Sequence, residues 1–205
     1  MPNKLVIATR NPGKVIEFRR ILDAIAKDAA ELVSIDQFPD LVDVEESGTT
    51  FQENALLKAR YTAKMTGLPS ISDDSGLCID ALGGAPGILS ATWAGQHGND
   101  KANVTKVLDE LSGTPDNKRG AYFICVSALV MPDGREEVAE GRFEGRILHH
   151  AIGDQGFGYD PIFAPLGMSI STAQMRAEEK DAQSHRGKSL RAIAPYVIEM
   201  LRGLG

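Results

Sequence analysis

The sequence predicts an α/β protein with a mixed sheet, and three observations carry that prediction. The run Lys4-Leu5-Val6-Ile7-Ala8 is short and continuously apolar after its lysine, as in a strand buried on both faces, and a polar turn and a helix-period segment follow it. In mid-chain, Thr50-Phe51-Gln52-Glu53 has the spacing of a capping box that opens a helix. Further on, Pro132-Asp133-Gly134-Arg135 is a hairpin turn between two strand-like runs.

Taken in order, Thr9-Arg10-Asn11-Pro12-Gly13-Lys14 ends the first strand, and Val15, Phe18, Ile21, Leu22 and Ile25 mark the first helix. Strand, polar turn and helix together aim backbone N–H groups and a helix N-terminus at an anion. In the second helix Thr50 is the N-cap and Glu53 sits at N3, a device worth about 1 kcal/mol. That helix runs through Ala55, Lys58, Ala59 and Ala63 and stops near Gly67 and Pro69. A third helix carries Val104, Val107, Leu108 and Leu111, closed by Gly113 and Pro115. Strands are expected over 121–131 and 136–143, and a last helix over 190–201, where Pro195 should kink or shorten it. With no repeat, low-complexity tract or long linker, residues 1–205 read as a single domain, whole or folded as two lobes.

Composition narrows the function classes. The chain is 42% hydrophobic and 24% charged, ordinary for a soluble globular protein. No apolar run reaches the roughly eighteen residues of a membrane span, and 5–8 is too short for the apolar region of a signal peptide. Cys78 and Cys125 lie far apart among apolar residues, which suggests buried free thiols in a reducing, cytoplasmic setting. Two cysteines cannot make a cysteine-based zinc site. A net charge of −6 argues against non-specific nucleic-acid binding, while local cations still permit a small anionic substrate.

The chemistry centres on Ser72-Asp73-Asp74-Ser75-Gly76. Adjacent carboxylates repel, and keeping both ionised requires something positive beside them. A hard divalent cation such as Mg2+ supplies that and also holds substrate phosphates. Glu45-Glu46 is a second acidic pair upstream. The bland alternative is that Asp73 and Asp74 cap a helix or a turn. Thr9 to Lys14 is not a P-loop, because Ala8 stands where the first glycine belongs and Val15 where Ser or Thr belongs. Lys14 nonetheless opposes the helix dipole and so needs a reason. Lys58, Lys180 and Ser184-His185-Arg186-Gly187 could complete an anion site, although each alone reads as a solvated face. Gly156-Phe157-Gly158-Tyr159-Asp160-Pro161 reads as a rigid loop that displays a ring, which could stack on a nucleobase for about 1–3 kcal/mol. Packing of those aromatics onto the core is the competing reading. His149-His150 falls in a strand-like segment, where neighbours face opposite ways and make a poor metal pair. His97 and Trp93 lie in a glycine-rich loop with no partner visible in sequence.

These blocks, with Glu45-Glu46-Ser47-Gly48, Thr50 to Ala55 and Leu82-Gly83-Gly84-Ala85-Pro86-Gly87, resemble the inosine/xanthosine triphosphate pyrophosphatases, collinearly over nearly the whole chain. The resemblance implies an elongated mixed central sheet flanked by helices, two lobes with an active-site cleft between them, Mg2+ dependence and a homodimer. It implies that Thr9, Arg10, Asn11, Pro12, Gly13 and Lys14 hold the triphosphate, and that Asp74 is general base and metal ligand. Glu45 and Glu46 would help place metal, with Asp73 alongside them. Ser75, Lys58, Phe157, Gly158, Tyr159, Asp160, Lys180, His185 and Arg186 would bind substrate. Arg10 replaces a frequent glycine, adding charge beside the phosphates, and Thr92 stands where arginine is common. The implied reaction converts XTP, ITP or dITP to the monophosphate and pyrophosphate. Donors on Lys180, Arg186 and the backbone would suit a 6-oxo purine and face the 6-amino donor of adenine unfavourably. A pyrophosphatase for modified pyrimidine nucleotides and a non-catalytic nucleotide sensor are the alternatives.

Overall fold

The structure, a computed structural model, describes residues 3–26 and 29–202. Six strands form one sheet in the order β2-β1-β3-β4-β5-β6: β1 Lys4–Ile7, β2 Glu31–Ser34, β3 Ser70–Ile79, β4 Gly120–Val130, β5 Glu136–Ile147 and β6 Phe163–Pro165. The helices are α1 Pro12–Ala26, α2 Phe51–Thr66, α3 Asp100–Glu110, α4 Ala177–Gln183 and α5 His185–Arg202, with short 3-10 turns between them. The sheet is mixed, because β1 pairs in parallel with both β2 and β3 whereas β6 pairs antiparallel with β5.

Local chemistry accounts for the elements foreseen. Thr50 Oγ1 accepts the Glu53 N–H at 3.1 Å, and the Glu53 carboxylate accepts the Thr50 N–H at 3.2 Å, so the capping box forms. Gly67, at φ 67°, closes α2 in the left-handed region that only glycine enters cheaply. In the hairpin, the Met131 N–H donates to the Arg135 carbonyl at 2.8 Å. Elsewhere the structure departs from the pattern. Over 70–79 the sequence shows no alternation, since β3 is buried along both faces apart from a half-buried Ser75. Asp73 and Asp74 therefore sit in mid-strand and cap nothing. β2 and β6 are too short, at four and three residues, to announce themselves. α5 begins at His185, five residues before Leu190, and passes through Pro195 uninterrupted. His149-His150 lies beyond the end of β5 rather than in a strand, and His149 Nε2 is 2.5 Å from Asp116 Oδ1. Trp93 does have a partner: Lys106 Nζ donates to its carbonyl at 2.7 Å and lies 4.2 Å from its ring centroid.

The chain divides into two compact units, one comprising 1–74, 125–141 and 186–205, the other 75–124 and 142–185. Leu5, Ile7, Phe18, Leu22, Ile71, Leu129 and Leu190 centre the core of the first. Leu77, Ile79, Val107, Leu111, Phe143 and Phe163 centre the core of the second. Among the described residues, no helix is long and apolar enough to cross a membrane.

Candidate active site

Strand register places the site. Ile7, the last residue of β1, pairs with Ile71, so β3 runs past the end of β1 and carries Asp73 and Asp74 beside the turn at 9–14. From β1 the chain goes to β2 on one side and later to β3 on the other. The β1–β3 edge is thus the switch point of the parallel strands, where α/β proteins bind ligands. In the turn, Asn11 Oδ1 accepts the Lys14 N–H at 3.1 Å and Pro12 occupies the first helical position, so Asn11 acts as N-cap of α1. Thr9 Oγ1 accepts the Asn11 N–H at 3.2 Å.

Neighbouring strand residues face opposite ways, so the two aspartates meet different partners. Asp73 Oδ2 accepts from Arg186 Nη2 at 2.9 Å and Nε at 3.2 Å, and its Oδ1 lies 3.1 Å from Lys14 Nζ. The third nitrogen of the same guanidinium, Nη1, pairs with Glu17. Burial alone would raise the Asp73 pKa, but Lys14 and Arg186 outweigh it and hold the carboxyl well below the usual range. Asp74 differs: burial pushes its pKa up, and Lys58 and Lys14 only partly oppose this. Its Oδ2 accepts the Asn54 amide at 3.2 Å and its Oδ1 lies 3.5 Å from Lys58 Nζ. Lys58 Nζ also donates to Glu46 Oε1 at 2.5 Å. Although burial disfavours its charge, Asp74 and Glu46 keep Lys58 an ammonium.

The donor set bears on the expected metal. Asp74 and Glu46 converge on one cationic nitrogen, so their oxygens are hard donors within reach of a common positive centre. Both oxygens of Asp73, also named as a metal ligand, face cations, Lys14 at Oδ1 and Arg186 at Oδ2. Glu45 is exposed, and Glu46 is the acid that meets Lys58. Among the described residues, no three His, Cys, Asp or Glu side chains cluster as a metal cage. Such a pair suits a Mg2+ ion whose remaining ligands come from substrate phosphate and water.

Arg186 was expected to meet substrate, yet it is 1% exposed and bound to Asp73 and Glu17. Two nearby carboxylates recruit it into the interior. Arg10, expected to add charge beside phosphates, turns to Asp43 at 2.8 Å, Asp36 at 3.0 Å and the Leu41 carbonyl at 2.6 Å. In the second unit Asp160 is a buried hub, accepting the Phe157 N–H at 3.0 Å, the Thr172 hydroxyl at 2.9 Å and Lys180 Nζ at 2.6 Å. A Cβ at Gly156 would stand 2.0 Å from that carboxylate, which explains the glycine. Lys180 Nζ lies 5.2 Å from the Phe157 ring centroid, and Gly158 N–H donates to Asp100 at 2.7 Å. Tyr159 displays no ring, because it is buried and its hydroxyl donates to the Ser90 carbonyl at 2.8 Å. The competing core reading holds for it. The His185 ring stacks on Phe123 at 4.7 Å. Ser75, half-buried, follows Asp74 in β3. Sequence reasoning assigned no role to Asn54 and overlooked Glu17. Asn54 had a usable signal in its i, i+4 relation to Lys58.

Fold and site together define a class: an α/β enzyme with a carboxylate–lysine site at the ends of parallel strands. The chain belongs to the Ham1 family, whose profile matches residues 5–196. It is 52% identical over 198 residues to a protein named dITP/XTP pyrophosphatase from Streptomyces avermitilis, covering 97% of this chain and 98% of that one. A Corynebacterium efficiens protein of the same name is 49% identical over 203 residues, covering 96% and 98%. Among solved structures, a Mycobacterium abscessus nucleoside-triphosphatase, also titled dITP/XTP pyrophosphatase, superposes with TM-score 0.75 at 48% identity, covering 94% of this chain and 99% of that one. The Staphylococcus aureus Ham1 protein superposes with TM-score 0.82 at 38% identity, covering 99% and 100%.

Proposed function

We propose that this chain hydrolyses the deaminated purine nucleotides XTP, ITP and dITP to monophosphate and pyrophosphate in a Mg2+-dependent reaction that cleans the nucleotide pool. The observation that carries the reading is Asp74, a buried carboxyl of raised pKa held between Asn54 and Lys58, with Glu46 on the same lysine. The names of the full-length relatives support the substrate class.

Asp74 accepts a proton from the water that attacks the α-phosphorus, a role suited to a carboxyl tuned upward. The bond between the α-phosphorus and the bridging oxygen breaks, and pyrophosphate leaves. Lys14 and Lys58 offset the charge that gathers on it. Asp74 and Glu46 would hold Mg2+, which when bound neutralises phosphate charge and orients the phosphates. Asp73, locked by Arg186 and Lys14, supports this site without ligating the ion. Base recognition falls to Phe157, Lys180 and nearby backbone N–H groups, whose donors suit a 6-oxo purine. Adenine would set donor against donor, a mismatch of about 1–3 kcal/mol per group. A homodimer in the cytoplasm is part of the reading, and the buried free thiols Cys78 and Cys125 fit a reducing compartment.

The test is release of pyrophosphate or orthophosphate from ITP, XTP, dITP, GTP and ATP, with and without Mg2+. Metal-dependent pyrophosphate from the deaminated purines is expected. Orthophosphate, or equal use of ATP and GTP, would sink the reading.

A further inference from the structure

We infer that Asn54 is a positioning residue that orients Asp74 for the reaction and ties the acidic segment 45–48 to it; the inference rests on the function proposed above. Asn54 is 2% exposed, in the first turn of α2. Its Oδ1 accepts the Gly48 N–H at 2.8 Å, and its Nδ2 donates to Asp74 Oδ2 at 3.2 Å. The assignment is forced, because a backbone N–H can only donate, so the amide oxygen faces Gly48 and the amide nitrogen faces Asp74. A carboxylate accepts readily there, so both ends of the amide are matched.

Asn54 and Lys58 are four residues apart and share one face of α2. The amide takes Asp74 Oδ2 and the ammonium takes Oδ1, which fixes the plane of the carboxylate from one rigid helix. Gly48 makes the arrangement possible. A Cβ at that position would stand 2.6 Å from Asn54 Oδ1 and 2.7 Å from Glu53 Cβ, so only glycine lets the acidic segment lie against the start of α2. The same amide therefore sets the direction of Asp74 and the place where the chain leaves Glu46.

Two variants test this in the full chain. Asn54→Asp keeps the acceptor for Gly48 and replaces the donor to Asp74 by a like charge. Partners that orient a metal-site carboxylate cost about 10–100-fold when lost. The expected result is a fall of that size in kcat for ITP at saturating Mg2+, with KM for ITP little changed. Gly48→Ala keeps every polar group and displaces the Asn54 carbonyl, so a smaller fall in kcat is expected; it decides the matter should Asn54→Asp fail to fold. A wild-type kcat in either folded variant, or a loss carried by KM alone, overturns the inference. The readout independent of turnover is the Asn54 side-chain amide in a 1H–15N NMR spectrum. It should resist exchange with solvent and shift in Asp74→Ala; a freely exchanging signal overturns the positioning role. A wild-type enzyme that releases no pyrophosphate, yet shows the protected signal, would sink the function and leave this geometry standing.

Discussion

Asp74 was expected to act as general base and metal ligand and Arg186 to bind substrate, and their surroundings separate them. Asp74 is the base of the proposed reaction, so Asp74→Asn, which preserves shape and removes the carboxylate, should lower kcat for ITP by about 10²–10⁴-fold with the melting temperature held. Turnover near wild type would move the base elsewhere. Arg186 is fixed in the interior by two buried acids. Arg186→Ala leaves Asp73 and Glu17 without their shared cation, and should cost about 3–5 kcal/mol in urea unfolding. A variant of wild-type stability that confuses ITP with ATP would return Arg186 to base recognition. At this scale residue types were legible in the sequence, and roles were not. A buried arginine and a substrate-binding arginine look alike until their partners are known.

Among the elements, α2 carries the most of the site, since Asn54 and Lys58 both project from it and its N-terminus fixes their phase. Its capping box was legible because it is a local device, complete within four residues. Thr50→Ala should destabilise the protein by about 1 kcal/mol, read as a lower denaturant midpoint. Glu53 adds a pH dependence. The backbone N–H and hydroxyl of Thr49, and then Thr50, hold its pKa below the ordinary value. A lowered folded pKa means that its stabilisation is present above the unfolded value and is lost as pH falls through the folded one. The stability gap between wild type and Glu53→Gln should therefore shrink as pH drops through the carboxylate range; a constant gap would assign the effect to packing. β3 was the element least legible. Its ten residues mix serines, aspartates and apolar side chains, and their burial comes from neighbours distant in sequence.

On the larger scale, the charges gathered at the candidate site are matched by the protein itself. Lys14, Lys58 and Arg186 already face Asp73, Asp74, Glu46 and Glu17. Chelation of divalent metal should consequently abolish pyrophosphate release while leaving the circular dichroism spectrum and melting temperature nearly unchanged. Unfolding on chelation would mean that the ion, and not the lysines, neutralises the acids. Mg2+ and ITP together should raise the melting temperature, because a ligand that binds only the folded state stabilises it by mass action.

The sequence by itself determined the α/β class, the caps and turns that delimit α1, α2 and the β4–β5 hairpin, and the inventory of acids and cations that a phosphate chemistry needs. These are local matters, set by spacing of three to seven residues. Only the tertiary structure decided which partners each carboxylate meets. Register between β1 and β3 carries the acid pair past the end of β1, and alternation along β3 sends Asp73 to Arg186 and Asp74 to Asn54 and Lys58. The pKa values of the two aspartates part for that reason, since burial and charge are properties of the neighbours that a residue acquires on folding.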